Sequence, residues 1–144
     1  MVHEMGPEDI SGISKIEERC FSDFWSRESV REGLESSLDT WLVLKEKEGV
    51  LGYCVFRIIA GEGELLRIAV SPEFQGRGLS KKLMDQMVEY SRKKKAETMF
   101  LEVRESNEKA RNLYRSYGFS EEGIRKDYYR DPVENAVIMK ACRI

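Results

Sequence analysis

The chain has 144 residues, of which 41% are hydrophobic and 35% charged, and its formal net charge is -2. This size suits one domain with a hydrophobic core, so we expect a single domain over residues 1–144. The small net charge argues against a nucleic acid as the main partner, because phosphate binding depends on an excess of Lys and Arg. The apolar stretches are too short to span a membrane, and the amino terminus does not resemble a signal peptide, which predicts a cytoplasmic protein.

Cysteine and histidine usage excludes several kinds of site. Cys20, Cys54 and Cys142 are odd in number, widely separated and set in apolar surroundings, which favours reduced, buried thiols over a disulfide framework or a zinc site. His3 is the only histidine and lies near the amino terminus, so a histidine-based triad or metal cluster has too few ligands. We therefore expect no metal.

The first part of the chain has helical character. After Pro7, which can start a helix, apolar residues recur at roughly helical spacing, at Ile10, Ile13, Ile16 and Cys20. This pattern predicts a helix that ends near Phe21. Ser26 then has the character of an N-cap and predicts a second short helix, closed near Ser36 and Ser37.

The remainder alternates between strands and helices. β-rich runs over residues 40–60 predict a hairpin with its turn at 47–49, and a second turn at residues 61–63 leads to a strand that ends at Pro72. A strong amphipathic helix follows Gly78, then a short buried strand over 98–103, and then a helix capped by Ser106 or Asn107 and ended by Gly118. Two terminal strands, near 119–125 and 136–141, are predicted on either side of a loop with two tyrosines. The predicted order is β α α β β β α β α β β, a mixed α/β domain.

The strand, loop and helix unit over residues 65–84 carries most information about function. Gly76 and Gly78 let backbone amides approach a ligand closely, and the following helix directs its positive dipole end toward the same place. A phosphate group would fit there. Neither the Walker sequence nor the dinucleotide fingerprint is satisfied, since the next glycine position of the latter holds Lys81.

This unit resembles the pyrophosphate-binding motif of the GNAT acetyltransferases, written Gln/Arg-x-x-Gly-x-Gly/Ala, with Ser80 in place of the last small residue. The resemblance implies the GNAT acyl-CoA N-acyltransferase fold, in which helices flank a mixed central sheet. It also implies that acetyl-CoA binds to a strand for the pantetheine arm and to the glycine loop for the pyrophosphate. The residues concerned are Ile68, Ala69, Val70, Gln75, Gly76, Arg77, Gly78, Leu79, Ser80 and Lys81.

A second block, over residues 101–119, is similar to RimI-type enzymes, which acetylate the α-amino group of a ribosomal protein, and to their archaeal relatives. The resemblance implies that Glu102 is the general base, that Asn107 contacts CoA and that Tyr114 is the general acid. It further implies that Tyr128 and Tyr129 wall the substrate pocket. Trp25 matches a bulky position near the substrate entrance, although Phe24 precedes it where a proline is common.

The chemistry requires such residues independently of the resemblance. An α-ammonium group has a pKa of about 8 and must lose a proton before its nitrogen attacks a thioester. A carboxylate can take that proton, and a tyrosine, with a pKa of about 10, can protonate a thiolate whose conjugate acid titrates near 8.5. A backbone N–H near Val70 can polarise the thioester carbonyl.

Each of these residues also has a structural interpretation. Glu102 suits the exposed face of a strand, paired with Arg104 or a lysine. Tyr114 and Trp25 suit a core, and Asn107 suits a helix cap. Only their combination downstream of the glycine loop favours the catalytic interpretation.

We therefore predict an acetyl-CoA-dependent N-acetyltransferase that acts on a protein α-amino group, with a ribosomal protein as the expected substrate and a monomer or weak dimer as the expected state. The alternatives are a GNAT enzyme that acts on lysine or a small amine such as a polyamine or aminoglycoside, and a CoA-binding sensor without catalysis. A nucleic-acid-binding domain that uses Arg77, Lys81, Lys82 and residues 92–95 is the least favoured.

Overall fold

The structure, a computed structural model, describes residues 1–144 and contains one seven-stranded sheet in the order β1-β2-β3-β4-β5-β7-β6. The strands are β1 (Val2–Glu4), β2 (Asp39–Glu46), β3 (Gly49–Ile59), β4 (Glu62–Val70), β5 (Thr98–Arg104), β6 (Ser120–Tyr129) and β7 (Glu134–Ala141). The helices are α1 (Ile10–Cys20), α2 (Arg27–Glu35), α3 (Leu79–Lys93) and α4 (Glu108–Ser116). The predicted element order and the mixed α/β class are confirmed. No helix is long and apolar enough to cross a membrane.

Helices cover both faces of the sheet. The apolar stripe of α3, with Leu83, Met84 and Met87, packs into one core cluster that also contains Tyr114 of α4. The helices α1 and α2 pack on the opposite face, where Ile13 belongs to a second cluster. The central strands therefore pack against apolar helix faces, which fixes their register, whereas β6 at the edge of the sheet is largely exposed.

Most of the helix ends predicted from the sequence are confirmed. Ser26 caps α2 by accepting a hydrogen bond from the backbone N–H of Ser29 at 3.0 Å. Gly118 follows α4 with a φ of 88°, as expected for a C′ glycine. Pro7 opens a short 3₁₀ turn, Pro7–Asp9, and the α-helix itself begins at Ile10.

Two predicted boundaries are wrong. The turn between β3 and β4 consists of Ala60 and Gly61, both with positive φ (51° and 83°), whereas Glu62 and Gly63 are the first residues of β4. Two left-handed residues give the twist that a tight hairpin needs. The tyrosines at 128 and 129 end β6 rather than lying on a loop, because the β6 ladder resumes with Tyr129 opposite Glu134 after an irregular stretch.

The sheet opens between its two parallel strands. The β4–β5 ladder runs only from Glu62 opposite Thr98 to Leu65 opposite Leu101. At the same place β4 has a bulge, since Phe56 of β3 pairs with Leu65 but the preceding Val55 pairs with Arg67. Residues 66–70 continue along β3 alone, while β5 continues along β7. The divergence leaves a gap in the middle of the sheet.

Candidate active site

A cleft of about 1080 Å³ occupies this gap. Its walls come from the carboxyl half of β4, the loop before α3, the exposed edge of β5, and α4. The connection between α1 and α2 and the end of β6 close one end of it. This volume is close to the upper limit of small-molecule and cofactor sites, about 1,000 Å³.

The glycine loop forms one end of the cleft. Gly76 and Gly78 have φ values of 81° and 75°, and a Cβ atom at either position would have no neighbour within 4 Å. The backbone N–H groups of residues 76–78 donate no hydrogen bond within the protein, and α3 begins immediately afterwards at Leu79. Free N–H groups beside a helix amino terminus bind phosphate groups, so this loop fits the pyrophosphate of CoA.

The structure brings nearly all of the predicted cofactor residues to this cleft. They are Ile68, Ala69, Val70, Gln75, Gly76, Gly78, Leu79, Ser80, Lys81 and Asn107. Gln75 is tied back to the end of β4, because its Nε2 donates to the carbonyl of Val70 at 2.9 Å. Arg77 does not line the cleft. Its guanidinium lies 5.3 Å from the ring centre of Phe74 instead, because the loop turns that side chain outward.

Glu102 lies on the cleft side of β5, with its side chain 16% exposed. The Nε atom of Arg125 is 2.5 Å from its Oε2, in a geometry that makes an ion pair without a hydrogen bond. The cation beside it is therefore Arg125 of β6, and neither Arg104 nor a lysine. An ionised carboxylate at the cleft can accept a proton from a bound ammonium group.

Tyr114 and Asn107 lie on the α4 wall of the cleft. Tyr114 is buried and packs against Phe119, with 6.0 Å between the ring centres. Burial raises the pKa of Tyr114, so its hydroxyl stays protonated at neutral pH. Asn107 caps α4, since its Oδ1 accepts a hydrogen bond from the backbone N–H of Ala110 at 3.1 Å, which agrees with its structural interpretation.

Aromatic side chains surround the opposite end of the cleft. Tyr128 and Tyr129 meet edge to face with 5.0 Å between their ring centres. Burial raises the pKa of both phenols, that of Tyr129 to about 12. Trp25 lines the cleft and also packs edge to face on Trp41 at 5.7 Å, so it belongs both to the core and to the cleft wall.

Sequence reasoning missed several charged residues of the site. Arg67 lines the cleft and pairs with Glu17, whose side chain is fully buried under α1. Glu64 also lines the cleft, one strand away from Glu102. Arg67 and Glu64 are charged residues inside an otherwise apolar strand, and this pattern could have marked them as candidates. The sequence did not reveal which residue pairs with either of them.

A sheet that splits between two parallel strands, with a glycine loop and a helix amino terminus beside the split, is the architecture of acyl-CoA-dependent transferases. The profile of the Acetyltransferase (GNAT) family matches residues 10–119. The chain belongs to this family and is an acetyl-CoA-dependent N-acetyltransferase.

Comparisons with individual proteins support the same family assignment. A Bacillus subtilis protein provisionally named a [ribosomal protein bS18]-alanine N-acetyltransferase is 37% identical over 139 residues, which are 96% of this chain and 92% of the relative. The enzyme of that name from Haemophilus influenzae is 36% identical over 93% of this chain and 92% of its own length. The crystal structure of the ribosomal-protein-S18-alanine N-acetyltransferase from Escherichia coli matches with a TM-score of 0.90 at 28% identity, over 100% of this chain and 94% of that one.

Proposed function

We propose that this enzyme transfers the acetyl group of acetyl-CoA to the N-terminal α-amino group of a ribosomal protein. The observation that carries the proposal is the meeting of Glu102, Tyr114 and the glycine loop in one cleft. Similarity to relatives named as bS18-alanine N-acetyltransferases supports the choice of substrate. A ribosomal substrate also favours a cytoplasmic location. The single seven-stranded sheet supports one catalytic domain over residues 1–144.

In this proposal Glu102 is the general base. Its carboxylate lies on the edge of β5 that faces the gap between β4 and β5, where an incoming amine can reach it. The α-ammonium group has a pKa of about 8 and must lose a proton before its nitrogen attacks the thioester carbonyl. A positioned carboxylate contributes roughly 10²–10⁴ in rate to such a step.

Tyr114 is the proposed general acid. The hydroxyl stays protonated because the side chain is buried, and none of the protein groups near it hydrogen-bonds to it. It is therefore free to donate its proton to the departing thiolate. The same poorly solvated cleft also disfavours the thiolate, which brings the proton affinities of the two groups closer together.

The acetyl donor would lie along residues 68–70, with its pyrophosphate at residues 76–81. Beyond Leu65, β4 has no neighbour on its β5 side, which leaves that edge available for hydrogen bonds to a pantetheine arm. Acetyl-CoA supplies the activated acyl group when bound. Tyr128, Tyr129 and Trp25 would enclose the substrate amino terminus at the other end of the cleft.

The test is acetyl-CoA turnover with peptides that begin with alanine, serine or methionine, compared with amino-terminally blocked lysine peptides and spermidine. We expect turnover only on free peptide amino termini, and a loss of about 10²-fold or more in kcat for Glu102→Gln and Tyr114→Phe. Glu105→Gln and Tyr90→Phe are matched controls outside these roles. Turnover on lysine or spermidine alone would contradict the substrate, and normal kcat in either variant would contradict that residue's role.

A further inference from the structure

Five charged side chains follow one another across the sheet, one on each of five strands. Asp39 on β2 lies opposite Arg57 on β3, and Arg57 lies opposite Glu64 on β4. Glu64 is level with Phe100 on β5, so Glu102, two residues further along β5, projects from the same face. Arg125 on β6 then reaches across β7 to pair with Glu102. We refer to these five residues as the charge row.

The charges of this row alternate at both ends but not in the middle. Arg57 forms an ion pair with Asp39, with its Nε atom 2.9 Å from Oδ1. Arg125 forms an ion pair with Glu102. No cation of the row lies between Glu64 and Glu102, and both carboxylates line the same cleft. This place coincides with the end of the β4–β5 ladder, where the cleft opens.

Neither carboxylate has a full set of hydrogen-bond donors. Arg57 and Arg125 act on Glu64 only through their charges, without a hydrogen bond to its carboxylate. The Oε2 atom of Glu102 is buried beside Arg125 without a hydrogen bond, and Tyr128 is the side chain that hydrogen-bonds to this carboxylate. Buried polar atoms are normally hydrogen-bonded, so an unsatisfied oxygen at a cleft needs a partner. A cation with several N–H donors would satisfy both side chains and restore the alternation of charge.

We propose that Glu64 is a second catalytic carboxylate, which together with Glu102 binds the α-ammonium group of the substrate and holds the proton that this group loses. The proposal rests on the proposed function and names the residue that recognises the amine. The first proton leaves nitrogen for the carboxylate pair and then passes to solvent. The nitrogen lone pair forms the C–N bond as the C–S bond breaks. The second proton leaves nitrogen as the amide forms and replaces the one that Tyr114 gives to the thiolate sulfur.

Two neighbouring carboxylates are suited to this task because they share one proton more readily than either takes it alone. Burial, and next the charge of Glu102, raise the pKa of Glu64. The charged and titratable groups that face Glu64 are Arg57, Asp39, Glu102, Arg125 and Tyr128. Burial and the carboxylates of Glu102 and Asp39 raise the pKa of Glu64, the two arginines lower it, and the net direction is upward.

The kinetic test compares Glu64→Gln with Glu62→Gln, a control on the same strand whose exposed side chain lies outside the cleft. We expect Glu64→Gln to raise the KM for an alanine-initiated peptide about tenfold or more, the usual effect of removing a charged hydrogen-bond partner, and to lower kcat as well. The KM for acetyl-CoA should stay the same, because the glycine loop is untouched. Equal peptide kinetics in the two variants would overturn the proposal.

A second measurement does not depend on turnover. Carboxyl-detected NMR of the wild-type protein should show Glu64 titrating above the ordinary glutamate range, and Glu102→Gln should lower that midpoint. A tetrapeptide with a free amino-terminal alanine should shift the Glu64 signal, whereas its acetylated form should not. If the enzyme acetylates spermidine but no peptide, the proposed function is wrong. Spermidine then replaces the peptide as the ligand that tests amine binding by Glu64 and Glu102. An ordinary Glu64 midpoint that Glu102→Gln leaves unchanged would overturn the carboxylate pair.

Discussion

Arg67 on β4 forms an ion pair with Glu17 on α1, with 2.6 Å between Nη1 and Oε1. The guanidinium lies 4.1 Å from the ring centres of both Phe21 and Trp25. Glu17 also accepts a hydrogen bond from the backbone N–H of Trp25 at 2.7 Å and another from the hydroxyl of Tyr53. This buried network attaches the connection between α1 and α2, one wall of the proposed substrate pocket, to the strand that lines the cleft.

Replacing Arg67 by methionine should destabilise the protein strongly. Methionine keeps some of the contact with Phe21 and Trp25, but it leaves the buried carboxylate of Glu17 without its cation. Breaking a buried pair in this way costs about 3–5 kcal/mol. The measurement is urea unfolding, with Arg19→Met as the control, because Arg19 pairs with Glu73 at the surface and such pairs contribute about 1 kcal/mol or less. A loss below 1 kcal/mol in Arg67→Met would show that the network does not anchor this wall.

The sequence predicted the order of the elements but not the charge network within the cleft. Helix caps and amphipathic stripes are local signals, so Ser26, Gly118 and the stripe of α3 were found. The contacts of Arg67 depend on the bulge in β4 and on the turn at residues 60–61, which together set which β3 residue faces which β4 residue. A turn placed at residues 61–63 gives a different register, and a shift of one residue moves every side chain to the other face.

Arg104 should control peptide binding through the segment after β6. Its guanidinium donates to the carbonyls of Arg130 and Pro132 at 2.8 and 2.9 Å and pairs with Glu134. These bonds hold the segment that follows Tyr128 and Tyr129. We expect Arg104→Ala to raise the KM for peptide about tenfold, since each hydrogen bond from a charged donor contributes about 1.5–3 kcal/mol.

The KM for acetyl-CoA should not change in Arg104→Ala, and steady-state kinetics with each substrate varied in turn provide the measurement. Arg143→Ala is the matched control, because Arg143 is exposed near the end of the chain. Arg104→Lys should be intermediate, since a lysine cannot donate to two carbonyls in a fixed fork. A rise in the acetyl-CoA KM instead would place the effect of Arg104 at the other end of the cleft.

The three cysteines should react with iodoacetamide in a fixed order. The prediction that all three thiols are buried is wrong for Cys142, which is exposed just after the end of β7. Cys20 is half-buried on the cleft wall, and Cys54 is fully buried, which raises its pKa to about 12. Burial, followed by the charge of Glu17, also raises the pKa of Cys20. The thiolate is the reactive form, so at pH 8 we expect Cys142 to react first, Cys20 slowly and Cys54 only on unfolding.

Peptide mass spectrometry after timed alkylation measures this order. Acetyl-CoA, whose own thiol is blocked, should slow the reaction of Cys20 and leave that of Cys142 unchanged, because only Cys20 lies on the cleft. Equal protection of both residues would point to a general effect on the protein. No protection of Cys20 would place the acetyl donor away from residues 68–70.

Glu64→Gln should stabilise the protein while it impairs catalysis. A raised pKa means that the folded state binds the Glu64 proton more tightly than the unfolded state does, so ionisation at pH 7 destabilises the fold. The contribution of Glu64 to the free energy of unfolding therefore rises as the pH falls from its raised pKa toward the ordinary glutamate value. Glutamine removes the repulsion from Glu102, so the melting temperature at pH 7 should increase. The difference from wild type should shrink toward pH 4, where Glu64 of the wild-type protein is itself neutral.

Glu121→Gln is the control of opposite sign. Arg111 and then Arg115 hold the pKa of Glu121 below its usual value, so its ionised form stabilises the fold at pH 7 and its replacement should lower the melting temperature. Thermal unfolding of both variants at pH 7 and pH 4 gives the comparison. A lower melting temperature for Glu64→Gln at pH 7 would mean that Glu64 has a stabilising partner. A higher melting temperature for Glu64→Gln together with a raised KM for peptide is the expected result. Functional sites often retain a destabilising charge in this way.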